Sequence, residues 1–421
     1  MHSRSGIALT IALLVLGIQH QQSQFPKGLC FWNSLCFIPE RKNSYVKNVV
    51  PSLDTEDKIL RLKSYIDTFD YEGAVKEDGR GQTIWDTFSH STGIILDRSN
   101  ADVAVDQYHR YIEDIQLMKD MGMDAYRFSI ACRSFSMEEM KNGENGNSFV
   151  ILGTDGSGEI NQAGTEPYVT LYHWDLPQAL EDKYLGWLDR QIIKDFALYA
   201  ETCFEKFGDR VKHWITFNEP HSFSIQGYYT GFEAPGRCST GFCRFGNSST
   251  EPYIVAHNVL LSHAAVVDIY RKNYKDKQNG SIGISLDVKW YVPETNAIEN
   301  IEETQRAQDF QLGWFLDPLI FGDYPSSMRS RIGTRLPTFT ESESSLLEGS
   351  LDFVGINHYT TYYASENATN TIGDLLNDVV SDANAYAIPF DKDGKPIGDV
   401  VYDSNFHLSS HELLIPTDIF H

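Results

Sequence analysis

Short apolar strands alternating with amphipathic helices, and polar residues gathered where those strands end, predict an α/β fold of the (β/α)8 TIM barrel kind. Strand-like segments run from Asp124 to Ile130, Pro167 to His173, Trp214 to Phe217, Ile282 to Trp290 and Leu351 to Ile356. Between them, Tyr108, Tyr111, Ile112, Ile115 and Met118 repeat at helical spacing, and so do Ile192, Phe196, Tyr199, Cys203 and Phe207. Strand, helix, strand in that order favours parallel pairing through helical crossovers. His173, Asn218, Glu219 and Asn357 stand at strand ends, where a barrel of this type assembles its site. A doubly wound sheet would also place ligands at strand ends. Such a sheet would be expected to bring a Gly-rich nucleotide loop, and Gly153, Gly156 and Gly158 have the wrong spacing and context for one.

Composition narrows the function. With 421 residues, 41% of them hydrophobic, the chain can bury a large core. A net charge of −23 gains nothing from phosphate backbones, and no basic patch with interleaved aromatics offsets it. Nucleic acid and anionic membrane are therefore set aside as partners. The 7 Trp, 22 Tyr and 24 Phe fit either an aromatic core or a cleft whose rings stack on sugars. His2 and Arg4 precede an apolar run from Ile7 to Ile18, and Gln-rich sequence follows. That order predicts a signal peptide over residues 1–24, with 25–421 as a single domain. Twelve apolar residues are too few to span a bilayer, so no membrane attachment is expected once the peptide is removed. Asn247, Asn279 and Asn367 each open an Asn-x-Ser/Thr glycosylation triplet. Cys238 and Cys243 flank a short loop and can close a small disulfide. Cys30, Cys36, Cys132 and Cys203 have no metal-ligand spacing and read as small buried hydrophobes.

The chemistry centres on Asn218-Glu219-Pro220, which follows an apolar strand. A carboxyl there, partly desolvated and near a second carboxylate, would have a raised pKa and could donate a proton. The tripeptide alone is common; its surroundings are not. Trp214-Ile215-Thr216-Phe217-Asn218-Glu219-Pro220, Tyr172-His173-Trp174-Asp175-Leu176-Pro177, Tyr126-Arg127-Phe128-Ser129-Ile130 and Asp352-Phe353-Val354-Gly355-Ile356-Asn357-His358-Tyr359 occur in that spatial logic along the chain. Glu72-Gly73-Ala74, Ile84-Trp85-Asp86 and Phe321-Gly322-Asp323-Tyr324-Pro325 add to the pattern. Together these segments resemble the family-1 glycoside hydrolases of plant β-glucosidase type. The resemblance implies a secreted, retaining hydrolase of β-D-glucosides that needs no cofactor or metal, destined for the apoplast or the vacuole. It implies Glu219 as acid/base, Asn218 on the sugar 2-hydroxyl and His173 on the 3-hydroxyl. Arg127 and Tyr359 would orient the attacking carboxylate, and Asn357 would support the same floor. Each residue type also has a plainer role, an ion pair for Arg127, a cap for Asn357 and a core histidine for His173.

Three departures from the family are expected to matter. The family's attacking carboxylate lies in Ile/Val-Thr-Glu-Asn-Gly on a seventh strand, and no such strand is read after Asn357. Glu144-Asn145-Gly146 contains part of that motif but lies upstream, with no apolar strand before it, and reads as a loop. The barrel is therefore expected to be incomplete, with strands 7 and 8 absent and the N-terminal strand disrupted. Around Leu29 to Phe69 the family's opening gives way to unrelated sequence, and Asp70 falls where a sugar-binding Gln is expected. From Ala131 to about Thr154 the sequence is again unmatched, and where Gly158 to Gly164 matches once more, Thr165-Glu166-Pro167 follows at once without the crossover helix expected between them. Edges this sharp fit altered exon joining better than gradual divergence. Impaired turnover is the expectation, with a non-catalytic glucoside-binding pseudoenzyme as the alternative.

Overall fold

A computed structural model describes residues 29–31, 73–77, 80–95, 98–120, 125–130, 164–239, 243–365, 379–397, 399–400 and 407–408. The expected signal peptide, Cys36, Asp70, Cys132, the Glu144-Asn145-Gly146 loop and Asn367 lie outside them. The strands are β1 (Leu29–Phe31), β2 (Ala125–Ser129), β3 (Glu166–Tyr172), β4 (His213–Asn218), β5 (Ser281–Pro293), β6 (Phe353–Ser365) and β7 (Tyr386–Ile388). The helices used below are α1 (Ile84–His90), α2 (Gln107–Asp120), α3 (Gln178–Tyr184), α4 (Gln191–Phe207), α5 (Pro220–Ile225) and α6 (Glu251–Asn273).

Strands β2 to β6 pair in parallel, each with the next in chain order. These are the five strands read from the sequence, extended or trimmed at their ends. β6 runs on to Ser365 because its far half still has partners, Ala364 lying opposite Pro293 of β5 and Ala387 of β7. β1, inside the stretch of unrelated N-terminal sequence, adds in parallel to the other side of β6, with Cys30 opposite Gly355. Among the described residues no parallel strand follows β6, and none bridges β1 to β2, so the sheet they form is open. That is the incomplete barrel the sequence predicts.

Helices cover the outer face of the sheet. α4 buries Ile192, Phe196, Tyr199, Cys203 and Phe207, the stripe expected from its spacing. Each fully buried side chain of this size contributes about 1.5–3 kcal/mol of hydrophobic stabilisation, before chain entropy is charged against it. Cys203 is buried and reduced, as a small hydrophobe should be. In α2 the expected face is only partly realised. Ile115 is buried, whereas Ile112 is 58% exposed. Ile112 sits on the flank of the stripe formed by Tyr108, Tyr111, Ile115 and Met118, where no described residue covers it. α6 is long and apolar enough to cross a bilayer by length and composition, but it is mostly buried in protein and serves as a core helix.

An aromatic cluster sets the end of β3. The Tyr172 ring lies edge-on to Trp187 at 5.0 Å, Phe223 at 5.4 Å and Phe217 at 5.7 Å. The Trp187 indole N–H donates to the Tyr172 hydroxyl at 2.9 Å. Such ring pairs add about 0.5–1.5 kcal/mol each beyond area burial. The cluster therefore fixes the backbone immediately before His173.

Candidate active site

Two residues within two positions of the ends of neighbouring strands adopt left-handed backbone, Trp174 with φ 77° after β3 and Glu219 with φ 48° after β4. Non-glycine residues rarely accept this region, and such strain gathers at functional sites. At Glu219 the conformation is held on both sides. Its N–H donates to the Ser285 carbonyl of β5 at 2.8 Å, and Pro220 opens α5 at the first helical position. At Trp174 the indole N–H donates to the Asn218 carbonyl at 2.8 Å, tying the end of β3 to the end of β4.

His173, Asn218 and Glu219 stand at the C-terminal ends of β3 and β4, and Arg127 from within β2 and Asn357 from within β6 join them. Asn357 Nδ2 donates to Glu219 Oε1 at 2.5 Å and to Asn218 Oδ1 at 3.1 Å. Arg127 Nη2 donates to Asn218 Oδ1 at 2.5 Å, Nη1 to Asn357 Oδ1 at 3.4 Å and Nε to Thr170 Oγ1 at 3.1 Å. Ser285 Oγ donates to Asn357 Oδ1 at 3.3 Å. Glu219 and Asn357 are 6% and 1% exposed, so these bonds operate in a low-dielectric setting where each is strengthened.

Asn218 Nδ2 donates to His173 Nε2 at 2.9 Å, which assigns the imidazole proton to Nδ1. Burial, and then the Arg127 charge, hold His173 down at about 3, so its ring is neutral in any ordinary buffer. A neutral ring with Nδ1–H directed away from Asn218 can donate to a hydroxyl. Tyr359 lies within β6, but its side chain is outside the described ones.

Beyond this set, the sequence reading missed two residues. Asp287 of β5 lies opposite Asn357 in the strand register and is 7% exposed. Its Oδ2 accepts from Gln311 Nε2 at 2.9 Å and faces His221 Nδ1 at 3.3 Å. Burial pushes the Asp287 carboxyl up, but the His221 hydrogen bond and charge, with Lys289 beyond, outweigh it and leave the group below the usual carboxylate range. Glu233 stands on the loop after α5, where its N–H donates to the Gln226 carbonyl at 3.3 Å. Burial first, then the charges of Glu219 and Asp287, push its carboxyl up to about 8. A clue to Asp287 was present, an acidic residue inside an otherwise apolar strand; Glu233 in a loop gave none.

That loop is clamped. Cys238 and Cys243 form a disulfide with Cα atoms 5.4 Å apart. Gly231, with φ 71°, lies so close to it that a Cβ there would stand 2.2 Å from Cys243 Sγ. Asn247 and Asn279 are exposed, as acceptors for glycan must be. Among the described residues no cluster of three or more His, Cys, Asp or Glu side chains has a metal-binding arrangement.

An α/β sheet with a buried carboxyl, two asparagines and an arginine at adjoining strand ends is the scaffold of a glycosidase site. The model for glycosyl hydrolase family 1 matches residues 63–389, and the chain belongs to that family. It is 65% identical over 349 residues to beta-glucosidase 40 of Arabidopsis thaliana, covering 79% of this chain and 65% of the relative. To beta-glucosidase 34 of Oryza sativa subsp. japonica it is 60% identical, with 79% of this chain and 65% of the relative covered. The chain thus spans about 65% of the length of these curated relatives. Among solved structures, a rice beta-glucosidase matches with a TM-score of 0.72 and 59% identity, over 80% of this chain and 70% of the other. A beta-glucosidase from the fungus Humicola insolens, solved in complex with glucose, matches with a TM-score of 0.70 and 40% identity, over 78% of this chain and 69% of the other. The fold class of these neighbours, the (β/α)8 barrel, is the one read from the sequence.

Proposed function

We propose that this site binds β-D-glucosides and that Glu219 is the acid/base of their retaining hydrolysis. The observation that carries the reading is the 2.5 Å bond from Asn357 to Glu219 inside the Arg127–Asn218–Asn357 network. One carboxylate oxygen is held by an amide, which orients the other toward a reacting atom. Glu219 would protonate the departing oxygen and later take a proton from water. Asn218 and His173 would hold the sugar hydroxyls, a contact that gains strength as charge develops at the anomeric carbon. The glucose-bound fungal neighbour and the plant β-glucosidase relatives support the choice of glucosides. The disulfide and the exposed Asn247 and Asn279 support passage through the secretory pathway.

Retaining hydrolysis also needs a carboxylate that attacks the anomeric carbon, about 5–5.5 Å from the acid. The polypeptide of 421 residues carries no Thr-Glu-Asn-Gly motif to supply it. Arg127, which the family pattern reserves for orienting that carboxylate, binds Thr170, Asn218 and Asn357. We therefore expect this polypeptide to bind glucosides and turn them over slowly, which also gives the pseudoenzyme reading its support. The test is alcohol release from an alkyl β-glucoside, whose departing oxygen needs the acid's proton, with and without added azide. Slow release that azide accelerates, yielding the α-glucosyl azide and vanishing in Glu219→Gln, is the expected result. Here azide forms the new bond to the anomeric carbon while the departing oxygen leaves with the Glu219 proton. Fast release without azide would refute the impairment, and release unaffected by Glu219→Gln would refute the acid/base role.

A further inference from the structure

Three carboxyl groups from three parts of the chain converge at the β5 side of the site. Glu219 lies between β4 and α5, Glu233 on the loop after α5, and Asp287 in β5. Asp287 and Ser285 alternate onto one face of β5, and Ser285 Oγ bonds Asn357 on that face. Asn357 in turn bonds Glu219, so Asp287 and Glu219 flank the same amide. Two atoms in this cluster stand out. Asp287 Oδ1 and Glu233 Oε2 are buried, and neither has a hydrogen-bond partner among the described residues. A buried acceptor left without a donor is costly, more so when its group is charged. Asp287 is nine-tenths buried, whereas Glu233 still reaches the surface and marks the way in. His221 reaches Asp287 at its other oxygen and Lys289 acts on it through space, and both leave Oδ1 unanswered.

We propose that this cluster receives a protonated amine carried on the departing portion of a β-glucoside. The inference rests on the glucoside-site reading above and names the substrate class that reading leaves open. His173 follows β3, on one side of the β4 strand that carries Asn218 and Glu219, while Asp287 lies in β5, on its other side. An ammonium brings three N–H donors and a positive charge. Two donors would satisfy Asp287 Oδ1 and Glu233 Oε2, and the charge would offset three crowded carboxyls. A neutral hydroxyl offers one donor and no charge.

The arrangement makes a distinctive demand on protons. Glu233 is held protonated near neutrality, and an ammonium beside it would favour the carboxylate. Binding of the cation should therefore release a proton from Glu233 to the buffer. Calorimetric titration of the purified chain with 2-aminoethyl and 2-hydroxyethyl β-D-glucoside tests this, at pH 7 and low salt, in buffers of differing ionisation enthalpy. The amine should bind about tenfold more tightly, with close to one proton released, and the alcohol should bind with none. Glu233→Gln should abolish the release and most of the preference. The proton count on the unaltered chain stands whether or not that variant folds. Equal affinity for both glucosides, or amine binding without proton release, overturns the inference and leaves the glucoside site standing. Binding of neither removes the site and the inference with it.

Discussion

Glu219 depends on one amide. Asn357→Ala removes the donor to Glu219 Oε1 and a second donor to Asn218 Oδ1, with both acceptors buried. We expect a loss of about 1–3 kcal/mol in urea unfolding, far above that of an exposed Asn→Ala change. Glucoside affinity should fall with it, since Asn218 would lose one of the two bonds, from Asn357 and Arg127, that orient its carbonyl oxygen. A loss below about 0.5 kcal/mol would show that the bond is not made. At this scale the sequence was informative where a motif surrounds the residue. Glu219, Asn218, His173, Arg127 and Asn357 all sit in recognisable strings, and the fold brings them within hydrogen-bond reach of one another. Glu233 and Asp287 escaped because their importance lies in what is next to them across β4, α5 and β5, and adjacency of that kind is not written in local order.

Among elements, the loop from Gly231 to Gly246 shows how a short covalent link serves a distant group. The Cys238–Cys243 disulfide closes a loop with a sequence separation of 5, which constrains the unfolded chain by about 2 kcal/mol in the chain-entropy account. The paired change Cys238→Ser and Cys243→Ser should cost about that much by thermal or urea unfolding. It should also loosen the seat of Glu233 and weaken amine-glucoside binding; unaltered stability and binding together would show the clamp to be idle. The strands were legible because apolar runs bounded by polar residues survive burial on two faces. The end of β6 was not, since its continuation to Ser365 is granted by partners in β5 and β7. In α2 the spacing was right but Ile112 remains exposed, because periodicity locates a stripe and only the neighbours decide its width.

For the whole molecule, titration links stability to pH with opposing signs. Burial holds His173 at about 3 and His257 and His263 at about 4. Each folded value lies below the unfolded one, so the unfolded chain takes up protons first, and stability is lost as pH falls below about 6.5. Glu181 and Glu233 go the other way, raised chiefly by burial to about 7 and about 8. There the folded chain keeps protons that the unfolded chain has shed, so stability is lost as pH rises from the ordinary carboxyl range toward those values. The two trends cross, and melting temperature should peak between about pH 6 and 7. Glu181→Gln should flatten the alkaline side; a profile still rising at pH 8 would contradict the assignment. The class of this architecture was legible from alternation alone. Which strand lies beside β6 was not, because β1 comes from sequence with no recognisable pattern, and pairing across the length of a chain is settled by what competes for the edge.

The left-handed turns at Trp174 and Glu219 carry an implication for inheritance. At Glu219 glycine would relax the backbone, so a population screened only for robustness would drift toward glycine there. At Trp174 it would not, because the buried indole and its bond to the Asn218 carbonyl outweigh the strain of the turn. Chemistry and durability pull in opposite directions at the Glu219 codon, and a lineage freed from any demand to handle sugar would gain by erasing that side chain.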